Sequence, residues 1–300
     1  MMDITWKNIE FSDKELIQGF YRQENARNCE FTFANNYLWA SYYEIRFAVI
    51  DGLLVFLSDE STFSVSFPLG KGDVRKTIED LMGYFEEKGR QFKMHLVSPE
   101  QFERLEQMFP GRFQISYNPD VADYVYESEK LITLSGKKLH AKRNHVNKFM
   151  EEHPDWSYES ITDENTAECL EMAEKWRELN GCADDPEKSN EFCVTLNALK
   201  MRKELGLKGG LIRADGRVVA FSLGEPCGDD FFVVHIEKAY ADVQGAYPMI
   251  NQQFVAHEAA DYKYINREED TGAEGLRKAK RSYHPVMMLE KGLVTYKNND

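Results

Sequence analysis

Two Asp-Gly dipeptides, each set between runs of β-branched, aromatic and leucine residues, organise the hydrophobic pattern of this chain. The first is Asp51-Gly52 in "FAVIDGLLVFLS", the second Asp215-Gly216 in "GLIRADGRVVAFSLG". Each predicts a two-residue hairpin, because both central residues of that turn need positive φ. After the first hairpin the pattern predicts a strand (63–67), the loop "PLGKGD", a helix over 73–88, the strand "FKMHLV", a helix from about 99 and a strand near 113. After the second it predicts the strand "FFVVHIE", the loop "ADVQGA", a helix over 248–260, the strand "YKYIN", a helix around 276–282 and the strands of "VMMLEKGLVTY". Helices over 13–23 and 33–43 precede the first hairpin, and helices over 168–179 and 191–205 precede the second. One order of elements thus recurs half a chain apart. It predicts an α/β (α+β) protein of two domains of like topology, 1–130 and 131–300, each a mixed central sheet flanked by helices.

The second domain is expected to open with a basic helix over 136–150, inside "LSGKKLHAKRNHVNKFM". Leu139, Val146, Phe149 and Met150 recur at helical spacing and can bury one face. Lys138, Lys142 and His145 share the other, with Arg143 beside them. No Asp or Glu occurs from Leu131 to Met150, in a chain whose net charge is −14. The segment reads either as a solvated helix face or as a cationic patch for an anionic substrate such as phosphate or RNA.

Charge and composition narrow the classes. Three hundred residues, 42% of them hydrophobic, supply material for two cores. The acidic total argues against a DNA-coating protein while leaving room for one local basic site. Five cysteines, Cys29, Cys169, Cys182, Cys193 and Cys227, are widely spaced with no CxxC pair, so they predict free thiols and no metal site. The first residues lack an apolar signal core, and no apolar run approaches the ~18 residues of a membrane span. These features predict a cytoplasmic protein without a transmembrane segment. Oligomeric state is not encoded in any pattern here.

Several segments carry candidate chemistry. In "DVQGAYP", Gln244, Gly245 and Ala246 precede a helix start, where backbone N–H groups can meet a phosphate; the same residues also fit a plain strand-to-helix turn. Gly70 and Gly72 of "PLGKGD" form a rival cradle without the Walker consensus, so no NTPase is expected. Strict alternation in "FFVVHIE" puts Phe232, Val234 and Ile236 on one face and Phe231, Val233, His235 and Glu237 on the other. His235 and Glu237 are candidate bases, or a satisfied core histidine and a surface acid. In "INREEDTGAEGLRKAKRSYHP", Asn266, Arg267, Glu268, Glu269 and Asp270 lie at a strand end, where α/β sheets place ligand groups. The acids can gather a substrate ammonium or form a solvated loop, with Arg267 neutralising one of them. The aromatic run "CEFTFANNYLWASYY" reads as core, as do Trp156 and Trp176; Asn35 and Asn36 can line a pocket.

The segments "CEFTFANNYLW", "FPLGKGD", "GKKLHAKRNHVNKF", "HIEKAYADVQGAYPMINQ" and "INREEDTGAEGLRKAKRSY" together resemble a family of bacterial proteins sharing the catalytic domain type of phosphatidylglycerol lysyltransferase. That family is related to the Fem-type peptidoglycan aminoacyltransferases, and the resemblance covers nearly the whole chain. It implies two tandem GNAT-like acyltransferase domains. It also implies transfer of an acyl or aminoacyl group, from acyl-CoA or aminoacyl-tRNA as donor substrate, to an amine or hydroxyl, with no permanently bound cofactor. The alternative is a binding or regulatory protein on a degenerate transferase scaffold. The resemblance further implies a proton-donating tyrosine after the fifth strand, four positions beyond a small residue. Ala279 and Tyr283 have that spacing, and Leu276 is expected to anchor the same helix face; Tyr283 equally fits a core-capping residue before a helix-ending Pro285. Arg277 and Lys278, with Lys280 and Arg281, are then placed to hold donor phosphates or RNA.

Overall fold

A computed structural model describes residues 4–24, 27–59, 62–181 and 185–297. The chain forms two compact units. One comprises Met1–Ala26, Glu30–Ala122 and Leu289–Asp300, the other Arg27–Cys29 and Asp123–Met288. Both Asp-Gly turns form as expected: Asp51 and Gly52 have φ of 48° and 82°, Asp215 and Gly216 of 52° and 73°. Their strands pair antiparallel, Ile50 with Leu53 and Ala214 with Arg217.

In the first unit's sheet the strands run Lys7–Asn8, Arg46–Ile50, Leu53–Ser58, Ser64–Val65, Lys93–Val97, Gly292–Tyr296, Phe113–Tyr117. The second unit's order is Ser157–Ser160, Lys208–Ala214, Arg217–Cys227, Phe231–Ala239, Tyr264–Asn266, Asp123–Glu127, Met287–Leu289. Each sheet contains a parallel pair: Ser64–Val65 with Lys93–Val97 in the first, Phe231–Ala239 with Tyr264–Asn266 in the second. With helices on their faces, these are two mixed α+β sheets, one in each unit.

The unit border differs from the expected cut at 130/131, for a reason of topology. Asp123–Glu127 follows the last strand of the first half in sequence, yet it pairs with Tyr264–Asn266. The chain's last strand, Gly292–Tyr296, pairs with Lys93–Val97 and Phe113–Tyr117. Each sheet takes in a strand far in sequence from the strand it pairs with, and no local pattern announces such a pairing.

Apolar packing fixes each sheet on its helices. In the first unit Ile78, Leu81 and Phe85 of the helix Val74–Glu87 bury against Val55, Leu57, Met94 and Val294. In the second, Phe254 of the helix Ala246–Glu258 meets Phe232 at 5.8 Å between ring centroids. The basic helix is His140–Glu152, later than expected. The segment before it turns through Leu134 (φ 47°) and Gly136 (φ 91°), which leaves Lys138 outside the helix. Among the described cysteines, Cys29, Cys169, Cys193 and Cys227 carry thiols, not disulfides; Cys182 lies outside the described residues. No helix among the described residues is long and apolar enough to cross a membrane.

Candidate active site

The parallel strands Phe231–Ala239 and Tyr264–Asn266 are in register only at Phe231–Tyr264, Phe232–Ile265 and Val233–Asn266. Beyond that point they part, and Val234 to Ala239 have no strand partner on that side among the described residues. On the other side the register slips: Leu223 opposes Ile236 while Gly224 opposes Val234, so His235 is the extra residue of a bulge. The bulge breaks the strict alternation expected from "FFVVHIE". Phe232 packs on Phe254, and Glu237 reaches Asn251 one turn earlier on the same helix. Strict alternation would put Phe232 and Glu237 on opposite faces.

Glu237 stands at this opening with both oxygens engaged. Oε1 accepts from Arg267 Nη2 at 2.8 Å and Oε2 from Asn251 Nδ2 at 2.9 Å. Arg267 is the residue after the parting strand, so its guanidinium spans the gap. It also lies over the Tyr283 ring at 4.9 Å and the Tyr126 ring at 5.7 Å. Lys142, from the basic helix, sits over the same Tyr283 ring at 4.3 Å. Two buried polar atoms here have no hydrogen-bond partner: Arg267 Nη1 and Asn251 Oδ1. Burial lifts the Tyr283 phenol above the ordinary 10, opposed by Arg267, so the phenol keeps its proton at neutral pH. Burial, then the Arg267 charge, lowers the Lys142 ammonium. Of the sequence candidates, the structure thus brings together Lys142, Glu237, Arg267 and Tyr283.

The acidic loop does different work from that expected. Glu268 Oε1 meets His235 Nδ1 at 2.6 Å, and Glu225 Oε1 meets His235 Nε2 at 3.1 Å. Burial opposes protonation of His235, but the two carboxylates outweigh it and raise the imidazole to about 10. His235 is therefore an imidazolium donating from both nitrogens, not the expected base. Asp270 is fully buried, takes a two-point contact from Arg277 and accepts from the Tyr124 hydroxyl at 2.6 Å. Glu269 Oε2 lies 3.8 Å from Cys29 Sγ. Asn266 donates to the Arg27 carbonyl and Asp123, and accepts from the Glu268 N–H. Lys280, almost fully buried, donates to the carbonyls of Arg267, Glu268 and Glu269. The loop is thus tied inward, and Arg267 neutralises Glu237 rather than a neighbouring acid.

Other expectations are corrected by position. The helix is Glu274–Arg281, and Tyr283 lies in the turn beyond it, so Ala279 and Tyr283 do not share a helix face. Leu276 is 42% exposed and anchors nothing, while Tyr283 is buried. Arg277 is committed to Asp270, and Arg143 caps the Leu134 carbonyl at 2.5 Å. Lys138 and Lys278 are exposed.

Neither glycine loop is an open cradle. A Cβ on Gly245 would lie 2.4 Å from the His145 carbonyl, so that glycine lets the helix His140–Glu152 approach. The Ala246 N–H is bonded to the Val243 carbonyl, and Gln244 accepts from Lys148. Gly70 gives its N–H to Glu24, and a Cβ on Gly72 would strike the Asp51 carbonyl at 2.8 Å.

At the equivalent opening of the first unit, the last parallel pair is Val65–Met94, and His95 takes the register position of Arg267. Its Nδ1 meets Ser64 Oγ at 2.8 Å, and that hydroxyl also bonds the Thr62 carbonyl. Burial lowers the imidazole to about 4, so the pair is neutral. Only the second opening carries cations beside a carboxylate and a phenol. Sequence reasoning missed Asn251, Tyr126 and Glu225, and it placed Lys280 on donor phosphates where it instead holds loop carbonyls. Asn251 alone left a signal, an amide among the apolar residues of the buried face of the helix Ala246–Glu258.

The family model for phosphatidylglycerol lysyltransferase, C-terminal, matches residues 21–294. The chain belongs to that family. A conserved protein of unknown function from Bacteroides thetaiotaomicron is similar at 38% identity, covering 98% of this chain and 100% of its own, with a TM-score of 0.93. The lysyltransferase-family fold also matches the L-PGS structure from Bacillus licheniformis at a TM-score of 0.64, with 15% identity, over 100% of this chain and 95% of that one. An uncharacterized protein of Mycoplasmoides gallisepticum is 28% identical over 178 residues, which are 57% of this chain. The match spans only 55% of that curated relative's length.

Proposed function

We propose that the protein transfers an aminoacyl group from aminoacyl-tRNA to an amine or hydroxyl acceptor, at the strand opening of its second unit. The observation that carries this is the buried, unpaired Nη1 of Arg267 beside a protonated phenol. A buried donor without a partner is costly, and an ester carbonyl whose oxygen gains charge during attack would satisfy it. Asn251 Oδ1 is an open acceptor for the α-ammonium of the same group. The acceptor nitrogen or oxygen attacks the ester carbon and its proton leaves to solvent. The carbon–oxygen bond to the ribose breaks, and Tyr283 gives its proton to the departing oxygen.

Two observations favour tRNA over acyl-CoA. A ribose alkoxide is strongly basic and needs a proton from an acid that stays protonated, which the raised phenol supplies. The loop that would cradle the pyrophosphate of CoA is closed by the approach of His145 to Gly245.

The test is deacylation of radiolabelled aminoacyl-tRNA in the presence of amine and hydroxyl acceptors, with product mass fixed by mass spectrometry. Arg267→Gln should lower turnover by roughly 10²-fold or more, the range for losing one oxyanion donor. Tyr283→Phe should lower it by roughly 10²-fold with little change in tRNA affinity. Full activity in either variant removes that residue from the mechanism. Tight CoA retention, or tRNA binding without turnover of any aminoacyl ester, overturns the proposal in favour of acyl-CoA chemistry or a binding scaffold.

A further inference from the structure

The transfer chemistry has an acid in Tyr283, but the proton lost by the attacking nitrogen or oxygen needs a first acceptor on its way to solvent. Most groups at the strand opening are unable to take it. Glu237 has both oxygens engaged, by Arg267 and Asn251. His235 already carries its proton between Glu225 and Glu268. Tyr283 keeps its own, and Tyr126 donates to the Lys280 carbonyl at 2.8 Å. Asp270 is fully buried and held by two nitrogens of Arg277.

Lys142 differs from all of these. It stands in the first turn of the helix His140–Glu152, which packs so closely on Gly245 that a Cβ there would lie 2.4 Å from the His145 carbonyl. That approach seats the Lys142 Nζ 4.3 Å from the centre of the Tyr283 ring. The residue is partly exposed, so an acceptor arriving from solvent can reach it. Among the described residues it forms no hydrogen bond and no ion pair. Its neighbour Arg143 is turned to the Leu134 carbonyl. The groups that bear on the Lys142 charge are Arg267, 4.9 Å from the same ring, and Glu237. A ring face attracts a cation, but Arg267 is permanently charged and already lies over this ring. Glu237, the carboxylate that favours the ammonium, is already paired with Arg267. Burial and the Arg267 charge both loosen the hold of Lys142 on its proton.

Resting on the transfer reading above, we infer that Lys142 Nζ is the general base that takes the proton of the attacking acceptor. The acceptor nitrogen or oxygen bonds to the ester carbon as its proton passes to the amine lone pair. The carbon–oxygen bond to the ribose breaks, and Tyr283 protonates the departing oxygen. The site has given one proton and taken one, and exchange with solvent resets both residues. A lysine that only attracted phosphate would need its charge and nothing more, so the two roles separate by substitution.

The test is single-turnover deacylation of aminoacyl-tRNA between about pH 6 and 8, with glycerol as the hydroxyl probe and methylamine as the amine probe. Parent, Lys142→Arg and Lys142→Met are compared. Arginine keeps the charge and the ring contact but holds its proton throughout. Both variants should be slower by roughly 10²-fold or more at the upper end of the range. Lys142→Arg should keep the parent's tRNA affinity and circular dichroism spectrum, which shows that it is folded. The ratio of parent to Lys142→Arg rates cancels the acceptor's own titration. It should grow with pH, by up to about tenfold per unit, as the neutral fraction of the lysine rises. A Lys142→Arg rate equal to the parent's, or a ratio flat across the range, overturns the base assignment and leaves the transfer reading standing. A parent inactive with both probes overturns the transfer reading, and the base assignment falls with it.

Discussion

His235 should make the second unit lose stability as pH rises, although the protein as a whole is acidic. Its imidazolium is clamped between Glu225 and Glu268, with 7% of its side chain exposed. Its ordinary value of 6.5 is raised to about 10 in the folded chain. A group whose folded value is raised stabilises fully below the unfolded value and loses that contribution as pH climbs through the folded one. The window is therefore pH 6.5 to 10. Each pH unit in it is worth about 1.4 kcal/mol, which makes the full contribution about 5 kcal/mol as an upper bound. By pH 9 most of it is lost. The assay is urea unfolding followed by tryptophan fluorescence, in a background where Trp6 and Trp39 are Phe, so that Trp156 and Trp176 report on the second unit. His235→Gln removes the titrating group and leaves a neutral donor. The gap between parent and variant should be largest at pH 6 and shrink by about 3 kcal/mol on reaching pH 9. A gap that is flat across this range, or that widens, refutes the imidazolium assignment.

His95 should behave in the opposite sense, because burial lowers it from 6.5 to about 4. Its contribution is whole above pH 6.5 and falls by up to about 3 kcal/mol as pH drops through 4, measured by acid-range urea unfolding reported by Trp6 and Trp39. His95→Gln should flatten that dependence. Gly245→Ala combines a φ of 86° with a Cβ 2.4 Å from the His145 carbonyl, so thermal unfolding should show destabilisation of about 3 kcal/mol or more. An unchanged midpoint would mean the helix His140–Glu152 is not held there. Lys280→Met leaves three carbonyls without their shared donor, so the melting midpoint should fall and amide exchange over 266–270 should quicken. Exchange confined to the helix Glu274–Arg281 would show that Lys280 does not hold that loop.

The hairpins and most helices were legible because they rest on local chemistry. Asp51-Gly52 and Asp215-Gly216 accept positive φ wherever they occur, and the apolar spacing of the helix Val74–Glu87 needs no partner to be read. The border between the units was not legible. Asp123–Glu127 has the same strand character whichever sheet it joins, and its choice is fixed by pairing with Tyr264–Asn266, far away in sequence. The bulge at His235 was hidden for a related reason. Five apolar neighbours look the same in either phase, so only the register against Leu223 and Gly224 reveals the extra residue.

The candidate site shows how a charged sequence misleads when read by proximity along the chain. "NREED" looks like an acid cluster with one internal counter-ion, yet the side chains of three of its members leave the cluster for partners elsewhere. Arg267 crosses to Glu237, Glu268 to His235 and Asp270 to Arg277 and Tyr124. The divergence is enforced by the backbone. Glu268 and Thr271 hold positive φ at 58° and 49°, and Lys280 gathers the carbonyls between Arg267 and Glu269. A loop so held keeps Arg267 directed into the strand opening with one nitrogen unsatisfied. The first unit repeats the opening but puts His95 in that position, neutral and bonded to Ser64. A neutral imidazole offers no fixed positive charge to an oxygen that gains negative charge. The repeated fold therefore supplies two openings, and the charge that suits an acyl-transfer transition state stands in the second.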